Sequence, residues 1–263
     1  MELDLKRAKV IVTGGASHIG QAIAFAFAHE GASIAIVDKD APQAQRTAKA
    51  ARERGAAAVF IVEADLSDRA QGEDACARGI AALGGIDVLV TNVGSNHPNF
   101  FLELDPDGWQ RTIDLNLTSV MACVRAVLPE MIKARRGAII AITSIAAFGE
   151  PRQSVYAAAK AGVIGFIKTI AREYGARGIR ANLVAPGLTL PEDPEAVGRQ
   201  SLWNERDTIM NQAQTDYVVK NTSLRRLSKA EDIANAVVFL ASERAARQVT
   251  GELIAVSGGF GTR

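Results

Sequence analysis

KVIVTGGASHIGQAIAFAFAHEGASIAIVD, residues 9–38, decides how the rest of the chain is read. It opens with KVIVT (9–13), a short β-branched run with the composition of a strand. GGASHIG follows, and QAIAFAFAHE then carries apolar residues at helical spacing until Gly31 stops it. A second buried strand, SIAIV (33–37), ends at Asp38. This strand–turn–helix order gives the glycines a physical meaning. They let the backbone turn tightly and approach a pyrophosphate, and the helix start offers it unpaired N–H groups and a favourable dipole. Thr13, Gly14 and Gly20 shape the turn, and Ser17, His18 and Ile19 lie within it. A carboxylate at Asp38 accepts bonds from both adenosine ribose hydroxyls and repels a 2′-phosphate. The expected cofactor is therefore NAD, in preference to NADP. Ser17 brings no positive charge for that phosphate, and Lys39, which has the reach, is read as a solvated surface residue.

The pattern repeats along the chain. A helix is expected over 41–54, stopped by Gly55, and AAAVFIV (56–62) is a third strand. Ala64, Asp65 and Leu66 follow it. Asp65 suits either a bond to an adenine amino group or the cap of the helix over 68–83. IDVLVT (86–91) is a fourth strand and ends in Asn92, Val93 and Gly94. A long helical pattern covers 106–134 with Asn116 inside it. Asparagine competes for backbone bonds in a helix, so Asn116 reads either as a local break that frees a carbonyl for a water or as an ordinary hydrogen-bonded side chain. GAIIAIT (137–143) is a fifth strand, and RGIRANLVAP (177–186) contains a sixth. Strands alternating with helices imply an α/β, doubly wound parallel sheet with ligands at the carboxyl ends of its strands. With ELIAVSGG near the end as a seventh strand, one Rossmann-type domain over 1–263 accounts for the chain.

The fifth strand delivers SIAAFGEPRQSVYAAAK, residues 144–160. Tyr156 and Lys160 are four apart on a helical pattern over 155–174, about one turn, so they share a face. Free tyrosine titrates at about 10 and lysine at about 10.4, and a neighbouring ammonium favours the phenolate. Ser144 adds a hydroxyl that can hold a carbonyl or alcohol oxygen. Together the three can move a proton on or off that oxygen.

These pieces, in this order, resemble the short-chain dehydrogenase/reductase family in its short single-domain form. The resemblance rests on TGGASHIG (13–20), Asp38, DL (65–66), NVG (92–94), Asn116, Ser144, YAAAK (156–160) and PG (186–187). EDIANAVVFLAS (231–242) and TGELIAVSGG (250–259) extend it nearly to the end. It implies that Tyr156 is the general acid/base, that Lys160 lowers its pKa and binds the nicotinamide ribose, and that Ser144 positions the substrate oxygen. Asn116 would hold a water that links Lys160 to solvent. Pro186, Gly187 and Thr189 would lie against the nicotinamide carboxamide. The implied activity is NAD-dependent interconversion of a secondary alcohol and its ketone. A 3-oxoacyl-thioester reductase is the alternative within the family, and Arg135, Arg136 and Arg172 leave an acyl carrier protein possible.

Three departures stand out. His18 replaces the middle glycine of the turn, where its ring either narrows the approach to the phosphates or caps the helix. The family's NNAG reads Thr91-Asn92-Val93-Gly94. The serine, usually thirteen residues before the tyrosine, is Ser144 at twelve, with Thr143 in the usual register. A one-residue deletion in 145–155 with Ser144 retained explains this.

Residues 188–222 have the least regular pattern, with Pro191, Pro194, Trp203, Met210 and Tyr217, and are expected to form a substrate lid. SNHPNFF (95–101) is the expected opposite wall. The apolar and small residues of 106–134 and 155–174 point to a homo-oligomer, and the resemblance implies a tetramer. A net charge of +1 argues against nucleic acid or an anionic membrane surface as partner. The longest uncharged apolar stretches, such as AIAFAFA (22–28), are too short to span a bilayer, and MELDLKRAK lacks a signal core. A cytoplasmic enzyme is the expectation. Cys76 and Cys123 read as buried thiols, with no metal site. A non-catalytic dinucleotide sensor would be expected to have a broken catalytic set, a dehalogenase-like lyase an arginine for Lys160, and an epimerase a larger carboxyl-terminal region.

Overall fold

The computed structural model describes residues 2–201 and 211–261. Seven parallel strands stand in the order β3-β2-β1-β4-β5-β6-β7. They are β1 (Lys9–Thr13), β2 (Ser33–Asp38), β3 (Ala58–Glu63), β4 (Val88–Thr91), β5 (Gly137–Ile142), β6 (Ile179–Pro186) and β7 (Leu253–Val256). Helices cover both faces: α1 (His18–His29), α2 (Ala41–Glu53), α3 (Arg69–Leu83), α4 (Pro106–Ile113), α5 (Ser119–Ala134), α6 (Ser154–Tyr174), α7 (Gln212–Asn221), α8 (Ala230–Ala241) and the short α9 (Glu243–Ala246). This is the Rossmann-type doubly wound arrangement that the alternation of patterns predicts.

The strands read as unbroken apolar runs because each face of the sheet meets its own layer of helices. Val10, Val12, Ile34, Ile36, Ala138 and Ile140 point into the core beneath α1, α2 and α8. Ile11, Ala35, Val37, Ile139 and Ala141 point into the core beneath α3, α5 and α6. Cys76 on α3 and Cys123 on α5 are buried in that second core as free thiols. A hydrogen bond to Cys123, together with burial, holds the Cys76 thiol well above its usual pKa.

The expected helix over 106–134 is interrupted. Between α4 and α5, residues Asp114–Thr118 form one π turn, closed by the Ser119 amide donating to the Asp114 carbonyl. Two carbonyls that an α-helix would satisfy through its backbone are taken up by side chains. Asn116 Nδ2 donates to Thr112 O at 2.9 Å, and Ser119 Oγ donates to Leu115 O at 2.6 Å. Pro106–Ala134 and Ser154–Arg177 are each long and apolar enough to cross a membrane, contrary to the expectation from stretches such as 22–28. In the fold one side of each faces the second core, through residues such as Val124, Val127, Val163 and Ile167.

The segment 188–222 is more regular than expected. It holds a short 3-10 turn at Pro194–Ala196 and then α7, which starts with a reciprocal cap between Asn211 and Gln214. Trp203 and Met210 lie outside the described residues.

Candidate active site

The carboxyl ends of the strands open into a cavity of about 580 Å³. It runs from Asp38, Asp40 and Asp65 at one end, past Asn92–Gly94, to Ser144, Tyr156 and the loop 95–98 at the other.

The glycine turn is tied to both neighbouring strands. The Gly14 amide donates to Val37 O at 2.7 Å, and Asn92 Nδ2 donates to Gly14 O at 3.1 Å. Gly14 has φ +61°, a conformation that favours glycine. At Gly20 the constraint is contact, since a Cβ there would lie 1.9 Å from Gly14 O. Ser17, His18 and Ile19 line the cavity, whereas Thr13 and Gly20 do not. Thr13 Oγ1 instead accepts the Asn92 amide at 3.0 Å and so fixes the end of β4 against β1.

Asp38 ends β2 with each carboxylate oxygen accepting one amide, from Ala16 and from Asp40, both at 3.0 Å. Lone pairs remain for two further donors. Burial raises the Asp38 pKa against these bonds. Asp65 does not cap α3, because Asp68 accepts the Ala70 and Gln71 amides. Asp65 lines the cavity beside Leu66. Burial pulls the Asp65 pKa upward, but the Ser67 amide and hydroxyl bonded to it bring the carboxyl below its ordinary value.

His18 does not cap α1. The cap position is Ser17, whose side chain makes no capping bond. His18 takes φ +48°, which accounts for the glycine expected there. Burial lowers its pKa to about 4, against an opposing effect of the Leu190 backbone beside the ring.

At the other end, Tyr156 and Lys160 project from α6. The Ser144 hydroxyl lies close enough to the Tyr156 hydroxyl to favour its ionised form. Thr143 Oγ1 is turned away and donates to the Lys160 carbonyl at 2.9 Å. Of the two candidate hydroxyls, it is Ser144's that meets the phenol. Lys160 Nζ is buried, 5.7 Å from the centre of the Tyr156 ring, and donates to Ile142 O at 3.1 Å. Burial pulls Lys160 down to about 8 and pushes Tyr156 up to about 12, with Ser144 opposing the latter. The expected lowering of Tyr156 by Lys160 is not seen: burial raises the phenol, Ser144 is the group that opposes it, and the chain alone holds a protonated phenol.

Asn116 sits behind this wall. Its Oδ1 accepts the Ser95 amide at 3.2 Å and its Nδ2 donates to Ser95 O at 2.9 Å. A Cβ on Gly94 would lie 2.8 Å from Asn116 Oδ1 and 3.0 Å from Lys160 Nζ, so the backbone passes between the two. Val93, Pro186, Gly187 and Thr189 line the middle of the cavity, with the Thr189 hydroxyl bonded to Gly187 O at 3.2 Å.

The outer wall contains residues that sequence reasoning missed. Glu150 and Gln153 face the loop 95–98 across the cavity mouth, with Val218 and Phe260 beside them. The two loops are joined by the Asn99 amide donating to Arg152 O at 2.8 Å, while the Arg152 guanidinium lies over Phe100. The Glu150 carboxylate has no ionic or hydrogen-bonding partner among the described residues, and burial raises its pKa. Only its position in the loop 145–155, read as one residue short, could have singled it out.

The residues fit a nicotinamide dinucleotide. The glycine turn is a cradle that a Cβ would fill, Asp38 keeps lone pairs for ribose hydroxyls, and the cavity ends at a proton-donating phenol. Comparison with known proteins agrees. A family model described as enoyl-(acyl carrier protein) reductase matches residues 14–261. The chain is 35% identical over 254 residues to a 3-oxoacyl-[acyl-carrier-protein] reductase of Staphylococcus epidermidis, covering 95% of this chain and 97% of that protein. A reductase of the same description from Chlamydia muridarum is 34% identical over 255 residues, covering 95% and 96%. A crystal structure assigned as a short-chain alcohol dehydrogenase from Sinorhizobium meliloti 1021 superposes with a TM-score of 0.88 at 28% identity, over 99% of this chain and 98% of that one. The chain belongs to the short-chain dehydrogenase/reductase family of oxidoreductases.

Proposed function

We propose that the protein interconverts a secondary alcohol and its ketone with NAD(H). The observation that carries this is the grouping of the Ser144 and Tyr156 hydroxyls with buried Lys160 on one wall of the cleft. A bound nicotinamide would supply or accept the hydride. In reduction, Tyr156 gives its proton to the carbonyl oxygen while Ser144 holds that oxygen; in oxidation, Tyr156 takes the proton back. Lys160 would bind the nicotinamide ribose, and Asn116 would hold the water through which Lys160 exchanges protons with solvent. Thr13, Gly14, Gly20, Asn92 and Gly94 would shape or fix the pyrophosphate site, with Ser17, His18, Ile19, Val93, Pro186, Gly187 and Thr189 along it. Asp38, Asp65 and Leu66 would hold the adenosine.

Asp38 supports NAD over NADP, because a 2′-phosphate would meet its carboxylate. Reduction of a 3-oxoacyl thioester is the second reading, favoured by the names of the relatives. The exposed Phe100, Phe101, Leu102, Met121 and Phe148 support a homo-oligomer, a tetramer by family resemblance. We place the protein in the cytoplasm on its resemblance alone.

The test is reduced-nicotinamide absorbance across secondary alcohols, ketones and 3-oxoacyl thioesters, with NAD(H) and NADP(H) in parallel. Turnover of simple alcohols and ketones with NAD(H) is expected. Turnover confined to thioesters would replace the first reading with the second. Faster turnover with NADP(H) would overturn the role of Asp38.

A further inference from the structure

After β6 the chain runs past the glycine turn and the start of α2, tied to both by a series of contacts, and re-enters the cavity wall at Gln200. The His18 imidazole lies against the Leu190 backbone. Gln43 Nε2 donates to Glu195 O at 2.9 Å. The Gly198 amide donates to Ser17 Oγ at 3.0 Å, and the Gln200 amide donates to Asp40 Oδ2 at 3.3 Å. Two of these partners, Ser17 and His18, belong to the glycine turn, and two, Asp40 and Gln43, to the start of α2. Those are the two sides between which an adenosine diphosphate lies on this fold.

Two residues make the arrangement specific to this chain. Gly198 is the point of closest approach: a Cβ there would lie 2.6 Å from Asp40 Oδ2 and 2.9 Å from Ser17 Oγ. A larger residue there would force the Asp40 or Ser17 side chain, or the segment itself, to shift. His18 is held at φ +48° in the middle of the turn, a conformation uncommon outside glycine, and its ring reaches Leu190. The ring that replaces glycine thus forms an anchor for the segment.

We propose that residues 190–200 are a latch over the adenosine half of a bound dinucleotide, with His18 and Gly198 as positioning residues, and that the latch opens before the dinucleotide leaves. The inference rests on reading the cleft as a dinucleotide site. It goes beyond that reading by assigning cofactor release to the end of the cleft remote from Tyr156.

Two measurements test it. The first is displacement of NADH, followed by its fluorescence in a stopped-flow instrument, for the wild type, Gly198→Ala and His18→Gly. Loss of one or two of these contacts corresponds to roughly three- to tenfold faster release. The second is amide hydrogen exchange over 190–200 in the cofactor-free proteins, which should accelerate in both variants. His18→Gly places at this φ the residue that suits it, so a folded protein is expected there even if Gly198→Ala folds poorly. Unchanged exchange in the variants would show that these residues do not hold the segment. Faster exchange with unchanged NADH release would show that the segment does not hold the dinucleotide. Either result overturns the latch and leaves the dinucleotide site standing. A wild type that binds no NADH overturns both.

Discussion

The two ends of the cleft are built from different materials. The dinucleotide end is largely backbone: the glycine turn, its bonds to β2 and β4, and one carboxylate at Asp38. The substrate end is largely side chain: Asn96, His97, Glu150, Gln153 and Val218 on loops and on α7. A wall of backbone restricts composition, because a Cβ at Gly20 would collide with Gly14 O. A wall of side chains restricts little, and relatives can change it without disturbing the sheet. The comparison teaches that the backbone-built end tolerates few changes of composition, whereas the loops can vary around Ser144, Tyr156 and Lys160 without disturbing the sheet.

The largest expected effect is at the junction of the two ends. Tyr156→Phe removes the proton donor and should lower kcat by about 10³-fold while dinucleotide binding persists. Steady-state kinetics beside an NADH fluorescence titration check this. A wild-type kcat in the variant would separate the two ends chemically and remove Tyr156 from the mechanism.

The next effect belongs to the dinucleotide end and is read as stability. The His18 pKa falls from 6.5 to about 4 on folding, so the fold binds fewer protons than the unfolded chain between those values. Stability from this group is complete above its unfolded pKa and is lost as pH falls toward 4, by about 3 kcal/mol in all. Urea unfolding at pH 7 and pH 4 should show His18→Gly losing less stability on acidification, by roughly that amount. An equal loss in both proteins would mean that His18 is not buried against the segment at Leu190.

The smallest effect tests the substrate end. Glu150 offers a negative charge without a partner among the described residues, at a site still partly open to water. Glu150→Gln should lower the kcat/KM ratio of an ammonium-bearing alcohol over its neutral analogue by about fivefold, the range of a screened ion pair. An unchanged ratio would show that the side-chain wall does not read charge.

What the sequence revealed follows the same division. The alternating cores of β1, β2 and β5 produce unbroken apolar runs, and the close approach at Gly20 produces a glycine, so both were readable. Asn116 signalled a break in its helix, although not that its amide would be engaged by Thr112 and Ser95. The contacts of 190–200 were hidden because Ser17 and Gly198 meet across most of the chain, and neither residue type announces a partner. Asn211 and Gln214 did carry a local helix signature, but the prolines upstream obscured it. The Tyr156–Lys160 spacing was legible, but not their electrostatic balance, which depends on burial that spacing does not record.

The strand order has a consequence for how the protein is made. β2 pairs with β1 and β3 with β2; then β4 pairs with β1, β5 with β4, β6 with β5 and β7 with β6. Each strand therefore emerges from the ribosome after a neighbour it will pair with. The sheet grows outward from β1, first to one side and then to the other, and no later strand has to be inserted between two that are already paired. During synthesis the exposed edge moves from strand to strand until β7 closes the sequence, and the nascent chain needs no rearrangement to complete its sheet.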